Sequence, residues 1–246
     1  MKLSLKKAHR SFYRYSLAFI FYVLWPFILF ASRKPSRYHM MNVLRKMCAF
    51  FSSSISGIFY RVKFQEPVDW SRTYIICPNH TSNLDIMSVS LLLKNNFCFM
   101  GKHELLENPL LGIFFKTIDI PVNRDSKMSS YRAFKQTGER LESGMSVVIF
   151  PEGTISKYYP PRLQEFKNGP FRLAIELKIP ILPITSSDTW KVMWDSGSKY
   201  GSRPGICNIF VHKPIETAGM TVEDADLLKS EVYKVIKQKL DEHDRR

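Results

Sequence analysis

Tyr74-Ile75-Ile76-Cys77-Pro78-Asn79-His80-Thr81-Ser82-Asn83-Leu84-Asp85 reads as a strand, a turn and a helix start in immediate succession. The apolar run to Pro78 suits a buried strand. Thr81-Ser82-Asn83 supplies turn and capping chemistry, and Asp85 to Leu93 then follows as a helix. The same alternation continues outward along the chain. Phe97–Met100 reads as a strand, Glu104–Phe115 as a helix in spite of Pro109, and Ile118–Val122 as a strand limited by Pro121. Ser129–Ser143 reads as a helix stopped by Gly144, Ser146–Phe150 as a strand, Phe171–Lys178 as a helix, and Ile181–Ile184 and Ile206–Val211 as strands. Thr221 caps a last amphipathic helix with Leu227, Leu228, Val232, Val235, Ile236 and Leu240 on one face. The pattern predicts an α/β fold, with a mostly parallel central sheet flanked by helices.

His80 and Asp85 carry the first chemical signal. On one continuous helix, residues five apart point away from each other by about 140°. The two meet only if the chain turns between them, and Thr81-Ser82-Asn83 is such a turn. Neutral imidazole takes a proton near pH 7, and a carboxylate on its other nitrogen fixes tautomer and orientation. The alternative is an ordinary Asn/Ser-rich helix start with an incidental histidine. No G-x-S-x-G elbow is present, and Ser82 is too close to His80 in sequence to serve as nucleophile. A lone histidine base points to direct attack by a substrate hydroxyl.

Phe150-Pro151-Glu152-Gly153-Thr154 closes the Ser146 strand. Pro151 stops the sheet, Gly153 lets backbone approach a ligand, and Glu152 is placed to accept from a hydroxyl or pair with an arginine. Taken alone, the stretch is a Pro-Gly turn. Arg124 follows the strand ending at Val122 and suits bidentate phosphate binding; a surface ion pair, with Asp125 for instance, is the plainer reading. Lys102 is a candidate for stabilising an oxyanion or phosphate, against a solvated lysine at a helix start. His103 and His212 read as structural or solvated.

The chain has 246 residues, 45% of them hydrophobic, enough for one sizeable core. Its 36 Lys and Arg against 22 Asp and Glu give a formal charge of +14, which favours an anionic partner. The four cysteines, at 48, 77, 98 and 207, have no metal-ligand spacing and form no disulfide framework. Residues 15–32 are uncharged and would extend about 27 Å as a helix, just short of a comfortable membrane span. Lys2, Lys6, Lys7, Arg10 and Arg14 precede this segment, and Arg33, Lys34 and Arg37 follow it. A second apolar stretch, Met40 to Tyr60, carries Met40, Leu44, Met47, Phe51, Ile55 and Phe59 at helical spacing. The pair reads as an N-terminal two-helix segment that dips into one leaflet, with basic flanks on anionic membrane lipids. One transmembrane helix and a cleaved signal peptide are the alternatives. No zinc-finger or RNA-recognition signature supports a nucleic-acid partner. The expected division is a membrane anchor over 1–64 and a catalytic domain over 65–246.

Four blocks in order then resemble the glycerolipid acyltransferases. Asn-His-Thr-Ser-Asn-Leu-Asp (79–85) is similar to their His-x4-Asp block, and Ile-Pro-Val-Asn-Arg (120–124) to the second. Phe-Pro-Glu-Gly-Thr (150–154) is similar to the third and Ile-Pro-Ile-Leu-Pro-Ile (179–184) to the fourth, with Phe166-Lys-Asn-Gly169 between them. The likeness spans residues 70–190 and is nearest to the bacterial enzymes acting on 1-acylglycerol-3-phosphate. It implies His80 as base, Asp85 as its orienting partner, and Arg124, Glu152, Gly153 and Thr154 as binders of acceptor phosphate and glycerol. It further implies a membrane-bound enzyme on the cytoplasmic face of the cell membrane. Acyl-CoA or acyl-carrier protein would be its donor, lysophosphatidic acid its acceptor and phosphatidic acid its product, with no metal or other cofactor.

One position departs. Members acting on lysophosphatidic acid usually carry arginine directly after the third block, where this chain has Ile155, Ser156 and Lys157. Lys157 or Arg162 would have to compensate; otherwise the acceptor is another lysolipid, a lysophospholipid or lyso-amino-lipid. A membrane-binding protein with an inactive site is the reading from a different class.

Overall fold

The computed structural model describes residues 2–123, 125–156, 158–194 and 199–245. Helix α1 (Leu3–Ser32) and helix α2 (Tyr38–Ile55) come first, then β1 (Ile58–Phe64), β2 (Ile75–Pro78), α3 (Leu84–Leu92) and β3 (Phe97–Lys102). They are followed by α4 (Gly112–Phe115), β4 (Ile120–Val122), α5 (Lys127–Glu142), β5 (Ser146–Val148) and α6 (Gly169–Glu176). The chain ends with β6 (Ile181–Ser186), α7 (Thr189–Val192), β7 (Gly205–Val211) and α8 (Ala225–Asp244). The strands form one sheet in the order β1-β7-β6-β2-β5-β3-β4. β6 and β7 pair antiparallel and the other neighbours parallel, so the expected α/β sheet is mixed.

Two expectations need correction. The apolar stretch read as helical through Tyr60 ends as a helix at Ile55, and Phe59 and Tyr60 belong to β1, which pairs with β7 along its length. Gly57 makes the break: at φ +66° it takes the left-handed conformation that closes a helix and redirects the chain. The helix expected over Glu104–Phe115 divides at Pro109. Asn108 before it is extended, leaving a 3-10 turn at His103–Glu107 and the short α4.

Helix α1 is long and apolar enough to cross a membrane by length and composition, and most of its apolar window is not covered by protein. Tyr13, Phe21, Leu24, Ile28 and Ala31 are buried, whereas Phe12, Tyr15, Phe19, Tyr22, Phe27 and Phe30 on the other side are exposed. The basic residues Lys6, Lys7, Arg10 and Arg14 lie within α1, which continues through Pro26. Its first turns are fastened to the domain. His9 Nε2–H donates to the Ser56 carbonyl at 2.9 Å, and Nδ1 lies 2.7 Å from Ser202 Oγ. The Ser202 N–H bonds the Lys6 carbonyl at 2.9 Å, and Arg10 donates to the Trp194 carbonyl at 2.8 Å.

Helix α2 is fastened as firmly. Asn42 donates to the Phe97 carbonyl and Lys46 to that of Leu93. Arg45, buried against Phe114, pairs with buried Asp119 at 2.7 Å. Both helices are therefore tied to the α/β domain, α1 through its first turns and α2 through Asn42, Arg45 and Lys46.

Candidate active site

Strands β6, β2, β5 and β3 are neighbours and parallel, so their carboxyl ends lie along one edge of the sheet. Each delivers one part of the site there, as open α/β sheets do. β2 leads into His80, β5 into Glu152, β6 into Thr189, and β3 ends on Lys102.

The turn after β2 is fixed by Asn79. Its side-chain amide takes the place of a peptide pair across to β6, accepting from Ser186 N–H at 2.7 Å and donating to the Ser186 carbonyl at 3.1 Å. The backbone then folds over Asp85, which is fully buried. Asp85 Oδ2 accepts from Thr81 N–H at 2.7 Å and Ser82 N–H at 2.8 Å, and lies 3.1 Å from His80 Nδ1. A carboxylate in the first turn of α3 also meets the positive end of that helix. Every partner of Oδ2 is a donor, which makes Nδ1 the protonated ring nitrogen and leaves Nε2 as the basic one. Among the described residues, Nε2 has no hydrogen-bond partner. The imidazole stacks on Phe150, with ring centroids 4.0 Å apart, and its side chain keeps 13% of its surface exposed.

Ser82 is not available as a nucleophile. Its hydroxyl, fully buried, donates to the Met193 carbonyl at 2.5 Å and accepts from Leu84 N–H.

Glu152 is buried behind the histidine. Its Oε1 accepts from the His80 backbone N–H at 2.6 Å and its Oε2 from Gln164 N–H at 2.9 Å. Burial pushes its pKa up to about 7, with the two N–H donors pulling it back and the charge of Asp85 adding to the rise. Gly153 turns the chain at φ +78°.

Beside this cluster opens a cleft of about 670 Å³, lined by Lys102, Glu152, Gly153, Thr154, Arg162 and Lys167 among others. Five residues singled out in the sequence, Lys102, Glu152, Gly153, Thr154 and Arg162, thus share one cavity. His80 is not among its lining side chains and adjoins it through the Glu152 contact. Arg162, one of the two cations named for the role left open by Ile155, stands on the wall; Arg124 and Lys157 lie outside the described residues. His103 is solvated, and His212 is buried beside Thr185, with burial bringing its pKa down to about 4. The cysteines are free and buried, and the described residues hold no group of metal-binding side chains.

Two contributors escaped sequence reasoning. Thr189 donates to Asp85 Oδ1 at 2.6 Å, from 104 residues away. Gln164 supplies a backbone N–H, which no side-chain pattern reveals.

The family model described as Acyltransferase matches residues 59–187, more than half of the chain. The chloroplastic 1-acyl-sn-glycerol-3-phosphate acyltransferase LPAT1 of Arabidopsis thaliana is 31% identical over 220 residues, covering 88% of this chain and 58% of that protein. The 1-acyl-sn-glycerol-3-phosphate acyltransferase of Haemophilus influenzae is 28% identical over 172 residues, covering 68% of each. In fold, the crystal structure of the 1-acyl-sn-glycerophosphate (LPA) acyltransferase of Thermotoga maritima superposes with a TM-score of 0.74 at 21% identity, over 96% of this chain and 98% of that one. The chain belongs to the acyltransferase family, on the glycerolipid side where the 1-acyl-sn-glycerol-3-phosphate acyltransferases are found.

Proposed function

We propose that this acyltransferase moves a fatty acyl group from acyl-CoA or acyl-carrier protein to the free hydroxyl of 1-acylglycerol-3-phosphate, forming phosphatidic acid. His80 Nε2 takes the proton of the hydroxyl as its oxygen attacks the thioester carbonyl. The tetrahedral oxyanion collapses, the C–S bond breaks, and the imidazolium returns the proton to the departing thiolate. No covalent enzyme intermediate is needed, in keeping with the occupied hydroxyl of Ser82. Asp85 holds the tautomer and steadies the imidazolium. Such a base contributes about 10²–10⁴-fold; positioning and charge stabilisation supply the rest.

The acceptor phosphate is assigned to Arg124 and the cleft cations Lys102, Arg162 and Lys167, with Gly153 and Thr154 alongside. Lys102 also serves as candidate oxyanion donor. The carrying observation is the His80–Asp85 contact beside a cationic cleft on the same sheet edge.

Helices α1 and α2 are assigned to membrane attachment at the cytoplasmic face, as a helical pair seated in one leaflet, while residues 58–64 of the expected anchor belong to the sheet as β1. Helix α1 is apolar on both sides while protein covers only one, so its aromatic side calls for a non-aqueous neighbour. The basic turns of α1 fit anionic headgroups. Both substrates favour the bilayer by roughly 0.8 kcal/mol per buried CH₂, so a seated enzyme need not extract them.

The test pairs purified protein with one acyl thioester and a panel of lysolipids, following thiol release and identifying the product lipid. Phosphatidic acid from lysophosphatidic acid, lost in His80→Ala with vesicle binding retained, is the expected result. Thiol release without any acceptor, or turnover in His80→Ala, overturns the reading. For the anchor, Phe19→Glu with Phe27→Glu should release the protein from anionic vesicles; unchanged binding removes that face from the contact.

A further inference from the structure

Asp85 has two oxygens, and the turn that carries it satisfies one. Oδ2 collects Thr81 N–H, Ser82 N–H and His80 Nδ1, all local to its own turn. Oδ1 points the other way into a fully buried setting, where an unpaired carboxylate oxygen costs far more than one in water. Its donor is Thr189 Oγ1 at 2.6 Å, from the first residue of α7 beyond the end of β6. The Thr189 proton is thereby committed, so its oxygen is the acceptor in the 3.0 Å contact with Thr81 Oγ1, and Thr81 donates. Both threonine side chains are buried.

We infer that Thr81 and Thr189 form a hydroxyl relay that positions the catalytic base. It runs from Thr81 O–H to Thr189 O–H to Asp85 Oδ1. The carboxylate is gripped from both sides and cannot rotate about its Cβ–Cγ bond without leaving a buried oxygen bare. Oδ2 therefore stays on His80 Nδ1 through the catalytic cycle, and the imidazole keeps Nε2 free. The relay also joins the helix-start half of the site to the β6 edge, beside the Asn79–Ser186 pair. Thr189 touches no reacting atom; it is a positioning residue.

The inference rests on His80 being the base, and the test separates the two. Thr189→Val keeps the shape and removes the donor. A hydrogen bond to a charged group is worth roughly 1.5–3 kcal/mol, so kcat should fall about tenfold or more with KM for lysolipid within about twofold. Thr189→Ser should retain kcat within about threefold of wild type. The acid limb of the kcat profile should move to higher pH in the valine variant, because a carboxylate freed of one donor pulls harder on the imidazolium. The other groups facing this pair are Glu152, Tyr60 and Cys207, with Asp188 behind the cysteine. Burial raises Glu152 to about 7, so the profile is read as a difference between variants. Should the valine protein fail to fold, Thr189→Ser against Thr189→Ala, which differ only by the hydroxyl, gives the same comparison. Wild-type kcat in Thr189→Val, or serine as impaired as alanine, overturns the relay. An inactive wild type, or an active His80→Ala, overturns the function beneath it instead.

Discussion

The carboxylate of Glu152 accepts the backbone N–H of His80 at 2.6 Å and so holds the main chain of the proposed base, not its ring. Its second oxygen holds Gln164 N–H, which closes the loop after β5 over the same point. A glutamine here keeps one acceptor and puts an NH₂ against the other N–H, so Glu152→Gln should lose one bond and lower kcat by about tenfold. The pH dependence has a definite sign. Folding raises this carboxyl from 4.5 to about 7, so the folded state keeps a proton the unfolded chain releases. The contribution is whole below the ordinary carboxylate range and is lost as pH rises through about 7. The melting-temperature advantage of wild type over Glu152→Gln should therefore shrink between pH 5 and pH 8. A constant difference would show that Glu152 does not titrate in this way.

Asp85→Asn tests the orienting role with little change of shape. An amide nitrogen cannot accept from Thr81 N–H, Ser82 N–H or His80 Nδ1, and an amide oxygen turned toward them leaves its NH₂ facing Thr189. The first choice reverses the tautomer of His80; the second keeps it but removes the charge that steadies the imidazolium and makes Thr189 accept where it now donates. We expect kcat to fall at least a hundredfold, on the order of a general base's whole contribution, with KM little changed. Steady-state kinetics with both substrates varied settles it; wild-type kcat rejects the role.

In the proposed function the cleft cations take the place of an arginine that Ile155 does not provide. Arg162 stands on the same wall as Thr154 and leans on Tyr158 at 5.8 Å, in reach of an anion that enters. Arg162→Ala should raise KM for lysophosphatidic acid about tenfold, the loss of one charge-assisted bond, and leave kcat nearly intact. An equal rise for an uncharged monoacylglycerol acceptor would mean that the residue shapes the cleft and does not read phosphate.

The His80–Asp85 contact was legible in the sequence because it is local: His80, its turn and Asp85 lie within six residues, and cap chemistry alone brings them together. The parallel strands β2, β3, β5 and β6 were legible for a similar reason, each being a short apolar run before a polar turn. The antiparallel pairing of β7 was not, because it depends on how residues 187–204 return and no hydrophobic period records that path. β1 hid because Phe59 extends the helical spacing of α2, and only Gly57 marks the change. Thr189 was invisible because Ser186-Ser-Asp-Thr189 is an ordinary polar turn until β6 lays it beside β2. Arg45 looked like one more basic residue near a membrane segment, and nothing local reveals its carboxylate 74 residues on.

That pair supplies the last test. Arg45 sits under Phe114 at 4.4 Å, and its guanidinium meets Asp119, whose other oxygen accepts Phe99 N–H at 3.0 Å. The contact ties α2 to the ends of β3 and β4, so it measures how far the N-terminal hairpin belongs to the domain's own stability. Arg45→Met fills similar space but strands a buried carboxylate, which costs about 3–5 kcal/mol. For a chain of this size, that lowers the melting temperature by roughly 6–20 °C. Adding Asp119→Asn removes the stranded charge while an amide oxygen still accepts from Phe99. The double variant should therefore melt above Arg45→Met, a departure from additivity that a thermal-unfolding cycle measures directly. Strictly additive losses would mean the two side chains act independently and that α2 is held by its apolar face alone.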